Sequence, residues 1–185
     1  ESTAILVRFL DNVVTWNEDL NALEKQRISA IETRRLGLGI MGIADMLNQL
    51  GISYDSKEGI DIITQVMEFI TNAAYQASAS LAGEKGASPI YSEDEYMECP
   101  FIESALSMET QTYIRENGIR NIAIMSIAPT GSISNIVKGF QLEDKNYVGV
   151  SGGVEPIFAL YYTRRTESFK KNEFYKVFHS TVQAY

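Results

Sequence analysis

The sequence predicts a helix-rich α/β fold, and three observations carry that prediction. Apolar residues recur at helical spacing over several segments, the longest running from Ile60 to Leu81. Two short apolar runs, Ile122 to Ala128 (IAIMSIA) and Ile157 to Tyr162 (IFALYY), lack that period, stop at proline or at charged residues, and read as buried strands. Gly51, Gly83, Gly86 and Gly118 stand where the helical segments end, the position at which glycine is favoured.

Composition narrows the function classes. A chain of 185 residues with 45% hydrophobic side chains suits one domain with a real core. The net charge of −8 and the pI near 4.7 argue against a nucleic-acid polymer as partner, which needs a basic surface, but leave a nucleotide monomer open. Cys99 is the sole cysteine, which rules out an internal disulfide and a thiolate metal cluster; the lone His179 removes most routes to a zinc site or a Ser-His-Asp triad. With no apolar run long enough for a bilayer and no secretory leader, a reducing cytoplasm is the expected compartment and no membrane is expected as partner. The chain opens without Met and stops inside an apolar-periodic segment, so residues 1–185 read as a single fragment cut at both ends.

Taken in order, Ala4, Ile5, Leu6, Phe9, Leu10, Val13 and Val14 predict a first helix with one buried apolar face, Arg8, Asp11, Asn12 and Thr15 lying between them, and an end near Trp16. A more polar helical segment spans Leu20 to Ile31. Gly37, Gly39 and Gly42 fit GxGxxG, but the residues before Gly37 are mostly charged or polar, so the strand a dinucleotide fingerprint requires is missing; close passage of the chain past its neighbours is the better use of these glycines. A helix from Ile43 to Leu50 follows, with Asp45 read as a solvated or hydrogen-bonded surface group. Asp55 and Glu58 have capping-box spacing ahead of the long helix. Glu93, Asp94, Glu95 and Glu98 lack the register of a calcium loop and read as solvated acids, and Cys99 reads as a buried or inert thiol. A helix is expected from about Ser104 to Asn117, a polar insertion from Lys138 to Tyr147, and a last amphipathic helix through Phe174, Val177, Phe178, Thr181 and Val182.

The stretch that carries chemistry is Ile122 to Ser134, IAIMSIAPTGSIS. A buried strand that stops at Pro129 and empties into Thr130, Gly131 and Ser132, with Ser132 or Ser134 capping a short helix through Ile133, brings backbone N–H groups, hydroxyls and a positive helix end to one point. That combination is an anion cradle, with Gly131 letting the backbone approach an oxyanion and tolerating positive φ. An ordinary strand-to-helix turn is the alternative for these residues taken alone.

Four blocks in order across nearly the whole chain, RRLGLGIMGIADML, SLAGEKG, NIAIMSIAPTGSIS and SGGVEPIFALYYTRR, resemble the C-terminal part of the ribonucleotide reductase catalytic subunit, and the last is closer to the adenosylcobalamin-dependent (class II) branch. The resemblance implies a partial α/β barrel of the ribonucleotide reductase and glycyl-radical type, ten strands in two antiparallel halves, of which this helix-rich fragment supplies much of the second. It also implies an oxidoreductase, a ribonucleoside-diphosphate reductase as parent, in which a cysteine thiyl radical takes the 3′ hydrogen, a glutamate assists proton transfer and a cysteine pair supplies the electrons. By the resemblance, the thiyl cysteine, the glutamate and one member of the pair lie ahead of the position of Glu1, and Cys99 matches none of the motif positions, so no catalytic residue is assigned and the fragment alone is expected to be inactive.

What the resemblance does assign is a substrate-phosphate loop: Thr130, Gly131, Ser132, Ile133 and Ser134. The expected partners are a ribonucleoside di- or triphosphate, the remainder of the parent chain, a thioredoxin-type reductant and, through exposed strand edges, a second copy in a homodimer. Adenosylcobalamin is the implied cofactor of the parent, with no metal site expected here. The stretch Phe140 to Val148 is longer than in compact members. Two other readings stay open: a class I large subunit served by a separate radical-generating subunit, and a non-catalytic nucleotide-binding module, which the lack of an Asn-x-Cys-x-Glu type loop upstream would favour.

Overall fold

The structure is a computed structural model that describes residues 1–168 and 171–178. Its chain divides into two compact units, one formed by residues 1–39 and 64–127, the other by 40–63 and 128 onward.

In the first unit, α1 (Ser2–Trp16) ends where the sequence predicts, but it faces the other way. Val7 and Asp11, one helical turn apart, are its buried residues, while Ile5, Phe9 and Trp16 are 61%, 60% and 76% exposed. The cause is an ion cluster. The Asp11 carboxylate accepts from Arg34 Nε at 2.8 Å, Arg120 Nε at 2.9 Å and Asn121 Nδ2 at 3.1 Å, with Lys85 Nζ at 3.5 Å. Burial pushes this carboxyl up, and the hydrogen bonds from Arg34 and Arg120 more than offset it, leaving it below the usual carboxylate range. Arg34 caps α2 (Glu24–Thr33) in the left-handed region at φ 45°, a conformation costly for a residue with a Cβ. Its buried guanidinium, bonded to Asp11 and Thr15, holds it there.

The glycines after Arg34 serve close approach, as expected. Leu36 and Leu38 N–H groups donate to Ala123 and Ile124 carbonyls, Ser126 N–H donates back to Leu38, and a Cβ on Gly39 would stand inside the Ser126 carbonyl. The Ile122 to Ala128 run is therefore extended, but it forms one parallel bridge, Leu38 to Met125, instead of the expected strand. With only the three residues Leu36 to Leu38 beside it, no ladder can propagate.

Helix α4 (Lys57–Lys85) is the long amphipathic helix, running through Gly83 to stop at Gly86 with φ 90°. Ser56 rather than an Asp55–Glu58 box begins it, accepting from Gly59 N–H at 3.0 Å. The acidic stretch forms the short α5 (Glu93–Met97), its acids in the first turn where the helix dipole favours them, and Cys99 beside it is exposed, not buried. The expected Ser104 to Asn117 helix is two: α6 (Pro100–Ala105) and α7 (Met108–Asn117), divided because Ser107 turns extended and caps α7 by accepting from Thr110 N–H. Ile114, Ile119, Ile124, Leu81 and Ala79 form the core of this unit.

The second unit holds α3 (Ile43–Leu50), flanked by Gly42 and Gly51 in left-handed conformations. It also has two antiparallel hairpins, β1 (Phe140–Leu142) with β2 (Lys145–Tyr147), and β3 (Tyr161–Ser168) with β4 (Lys171–Phe178). The polar insertion is thus a hairpin, with Phe140 and Tyr147 stacked at 4.7 Å and its base closed by Val150 N–H on the Val137 carbonyl. The strand expected at Ile157 to Tyr162 begins only at Tyr161. The final helix is corrected as well: Phe174 to Phe178 is strand, where Phe178 pairs with Tyr161 and Lys176 sits over the Tyr161 ring. Thr181 and Val182 lie outside the described residues. Among the described residues there is no closed barrel; the sheets are small and helix dominates.

Candidate functional site

The site lies within the second unit and is built from two loops. In the first, Pro129 is followed by Thr130 at φ 56°, then Gly131 and Ser132, then a single 3₁₀ turn over Ile133–Ile136. The left-handed residue is thus Thr130, not Gly131 as the sequence suggested.

The direction of the amides follows from what the carbonyls do. Thr130 O accepts from Ser134 N–H at 3.0 Å, Gly131 O from Ser134 Oγ at 2.8 Å, and Ser132 O from Asn135 Nδ2 at 3.2 Å. All three carbonyls are turned toward the Ser134–Asn135 side. In a trans peptide the N–H points opposite to its C=O, so the amides of Gly131, Ser132 and Ile133 are turned away from that side, with Gly131 N next to Gly153. Among the described residues no acceptor satisfies the Gly131 and Ser132 amides. An oxyanion is the partner such a nest of N–H groups takes.

The five loop residues therefore divide by task. Gly131 and Ser132 are exposed and present their backbone. The Ile133 side chain is 48% exposed. Thr130 Oγ1 donates to the Pro129 carbonyl at 2.8 Å. Ser134 is buried, and its hydroxyl is spent holding Gly131 O, so it shapes the loop from behind instead of facing a ligand.

The second loop is Ser151 to Val154. Gly153, at φ 104°, lies so close to the first loop that a Cβ would enter the Pro129 carbonyl and stand 3.0 Å from Thr130 Oγ1. Val154 N–H reaches Pro129 O at 3.3 Å, and the N-terminal amides of α3 close the other side, Gly42 N–H on Gly153 O at 2.7 Å and Ala44 N–H on Val154 O at 3.2 Å. Asp45 is buried, not a surface group: Ser151 N–H donates to Oδ2 at 3.0 Å and Ser151 Oγ to Oδ1 at 2.5 Å.

Between the loops opens a cavity of about 570 Å³. Gly131, Ser132 and Asn135 form one wall, Ser151 and Gly152 another, and Tyr162, Thr163 and Arg165 a third. The amide nest and the Arg165 guanidinium both suit an anion. A hollow of about 660 Å³ in the first unit is larger, but Glu1, Glu109 and Glu116 around it have the wrong sign for one. Of the loop expected from sequence, Gly131 and Ser132 line this cavity, together with Asn135, Ser151, Gly152 and Arg165, which sequence reasoning did not single out as site residues. The Gly152-Gly153 pair was the available signal for the close loop-to-loop approach.

Comparison with known proteins agrees with the resemblance carried by the four sequence blocks. The family model for the ribonucleotide reductase barrel domain matches residues 1–184. The vitamin B12-dependent ribonucleoside-diphosphate reductase of Mycobacterium tuberculosis is 34% identical over 166 residues, covering 89% of this chain and 19% of that protein. The enzyme of the same name from Thermoplasma acidophilum is 35% identical over 168 residues, with 89% and 18% covered. The ribonucleoside-diphosphate reductase subunit alpha of Chlamydia muridarum is 32% identical over 179 residues, with 85% and 16% covered. Among solved structures, the class Id ribonucleotide reductase alpha subunit of Actinobacillus ureae matches with a TM-score of 0.55 at 24% identity, over 72% of this chain and 22% of that one, a likeness of fold. The chain thus spans about a fifth of the length of these relatives. With nearly every residue inside the family match, this chain belongs to the ribonucleotide reductase barrel-domain family.

Proposed function

We propose that this chain supplies the substrate-phosphate site of a ribonucleotide reductase that turns ribonucleotides into deoxyribonucleotides by thiyl-radical chemistry, in the adenosylcobalamin-dependent class. What supports this reading is that the Gly131 and Ser132 amides have no acceptor among the described residues and that both residues line a cavity that Arg165 also lines. Thr130, Gly131, Ser132, Ile133 and Ser134 form the loop, the first four at the phosphates and Ser134 behind them. A ribonucleoside diphosphate, the substrate class in the relatives' names, is the ligand. Holding its phosphates fixes where the ribose lies, a contribution of orientation; bond breaking belongs to the cysteines and glutamate of the rest of the parent, and a thioredoxin-type protein restores their electrons.

The class follows the relatives named vitamin B12-dependent. The cofactor itself does not fit the cavity between the two loops, which at about 570 Å³ is too small for a substituted corrin. Adenosylcobalamin, which supplies the radical when bound, belongs with other parts of the parent. We place the parent in the cytoplasm, where an exposed Cys99 stays reduced; no described helix is long and apolar enough to cross a membrane.

The test is turnover of a ribonucleoside diphosphate by the full-length parent with adenosylcobalamin and no second subunit. Product under those conditions is expected, and turnover that requires an added metallosubunit would move the protein to class I. A finer check is Ser132→Ala, which removes one hydroxyl and keeps the amides. Nucleotide affinity in equilibrium binding should fall by on the order of 1 kcal/mol, about fivefold.

A further inference from the structure

We propose that Asp45 is a positioning residue for the phosphate site, acting through Ser151. Its carboxylate is buried in the first turn of α3, and both of its oxygens are engaged by one residue: Oδ2 accepts the Ser151 N–H at 3.0 Å and Oδ1 the Ser151 hydroxyl at 2.5 Å. A two-point grip fixes orientation as well as distance, and hydrogen bonds to a carboxylate are about twice as strong as neutral ones. Ser151 and Gly152 line the cavity opposite Gly131 and Ser132.

The grip continues to the amide nest. Gly42 and Ala44, on the same helix end as Asp45, hold the carbonyls of Gly153 and Val154, while Val154 N–H holds Pro129 O. Asp45, the Ser151 to Val154 turn and the phosphate loop thus form one connected frame, in which Asp45 sets how far the Ser151–Gly152 wall stands from the Gly131 and Ser132 amides. A dipole-favoured acid in a first helical turn has a purely local role. A side chain bonded 106 positions away, to the rim of the anion cavity, has a second one.

This inference rests on the phosphate reading of the cavity, and the experiment separates the two. In the full-length parent, Asp45→Ala and Ser151→Ala are each expected to raise the KM for a ribonucleoside diphosphate, and the inhibition constant of inorganic pyrophosphate, by about tenfold with kcat held. The double variant should be no worse than Asp45→Ala alone, because that change already removes both bonds to Ser151, whereas Ser151→Ala removes only the hydroxyl one. Asp45→Asn, which keeps one acceptor and the side-chain volume, should recover part of the loss. If Asp45→Ala does not accumulate as folded protein, Ser151→Ala and Asp45→Asn carry the measurement. A lowered melting temperature with unchanged KM and pyrophosphate inhibition would make Asp45 a purely structural group and overturn the proposal. Gly131→Val is the control for the cavity: if it weakens pyrophosphate while Asp45 and Ser151 variants do not, the positioning role fails alone. If it has no effect either, the phosphate reading fails and takes this inference with it.

Discussion

Replacing Gly131 by Val in the full-length parent is expected to abolish measurable binding of a ribonucleoside diphosphate while leaving the melting temperature nearly unchanged. The backbone tolerates the change. Gly131 does not occupy the left-handed region, and a Cβ there meets only the Gly152 carbonyl, at 3.8 Å, an ordinary van der Waals distance. What the branched side chain fills is the space between the two loops, where the phosphate must stand to reach the Gly131 and Ser132 amides. Hydrogen bonds to a charged group contribute about 1.5–3 kcal/mol each, so losing two lowers affinity by roughly a hundredfold or more. Isothermal titration with the nucleotide beside thermal denaturation separates the outcomes, and unchanged affinity would show that the phosphates rest elsewhere.

Asp11→Ala is expected to have the largest effect on stability. The change leaves Arg34, 5% exposed, and the half-enclosed Arg120 without the carboxylate that three other elements converge on. Removing one partner of a buried ion cluster costs about 3–5 kcal/mol, which in a protein of this size lowers the melting temperature by roughly 10 °C. The pH dependence has a fixed sign. Burial pushes the Asp11 carboxyl up, but the arginines hold it below the value it has in an unfolded chain, near 3.9. Its contribution is therefore full above about pH 4 and is lost as the pH falls through the lower folded value. Denaturant melts of the natural protein and Asp11→Asn should differ most near neutrality and converge in acid. A gap that widened below pH 4 would contradict this account of the cluster.

Asp11 also marks where reading the sequence failed. Hydrophobic periodicity finds α1 and its end at Trp16, but it assumes that the polar stripe meets water. Here partners 23 and more than 100 positions away, Arg34, Arg120 and Asn121, draw the polar stripe inward, and no local pattern announces that. Periodicity was sufficient for the existence of α3 and α4 and for their ends at Gly51 and Gly86. It was insufficient for Phe174 to Phe178, where the spacing suits a helix and a strand equally, and pairing with Tyr161 decides. At the candidate site, the Thr130 to Ser134 loop could be proposed from sequence because its chemistry is contiguous. The second wall was not, since Gly153 is required by a carbonyl 24 positions earlier and Asp45 finds Ser151 across 106.

The β1–β2 hairpin has a consequence for how this family can vary. The Val150 to Val137 bond closes its base, and Gly149 approaches the Val137 carbonyl too closely to admit a side chain. A ribbon of another length beyond that clasp is expected to leave the Val137–Val150 base in place. Lengthening, shortening or grafting a foreign peptide at the Glu143 bend is therefore open to evolution and to engineering alike, because the ribbon hangs from the site like a tassel from a knot.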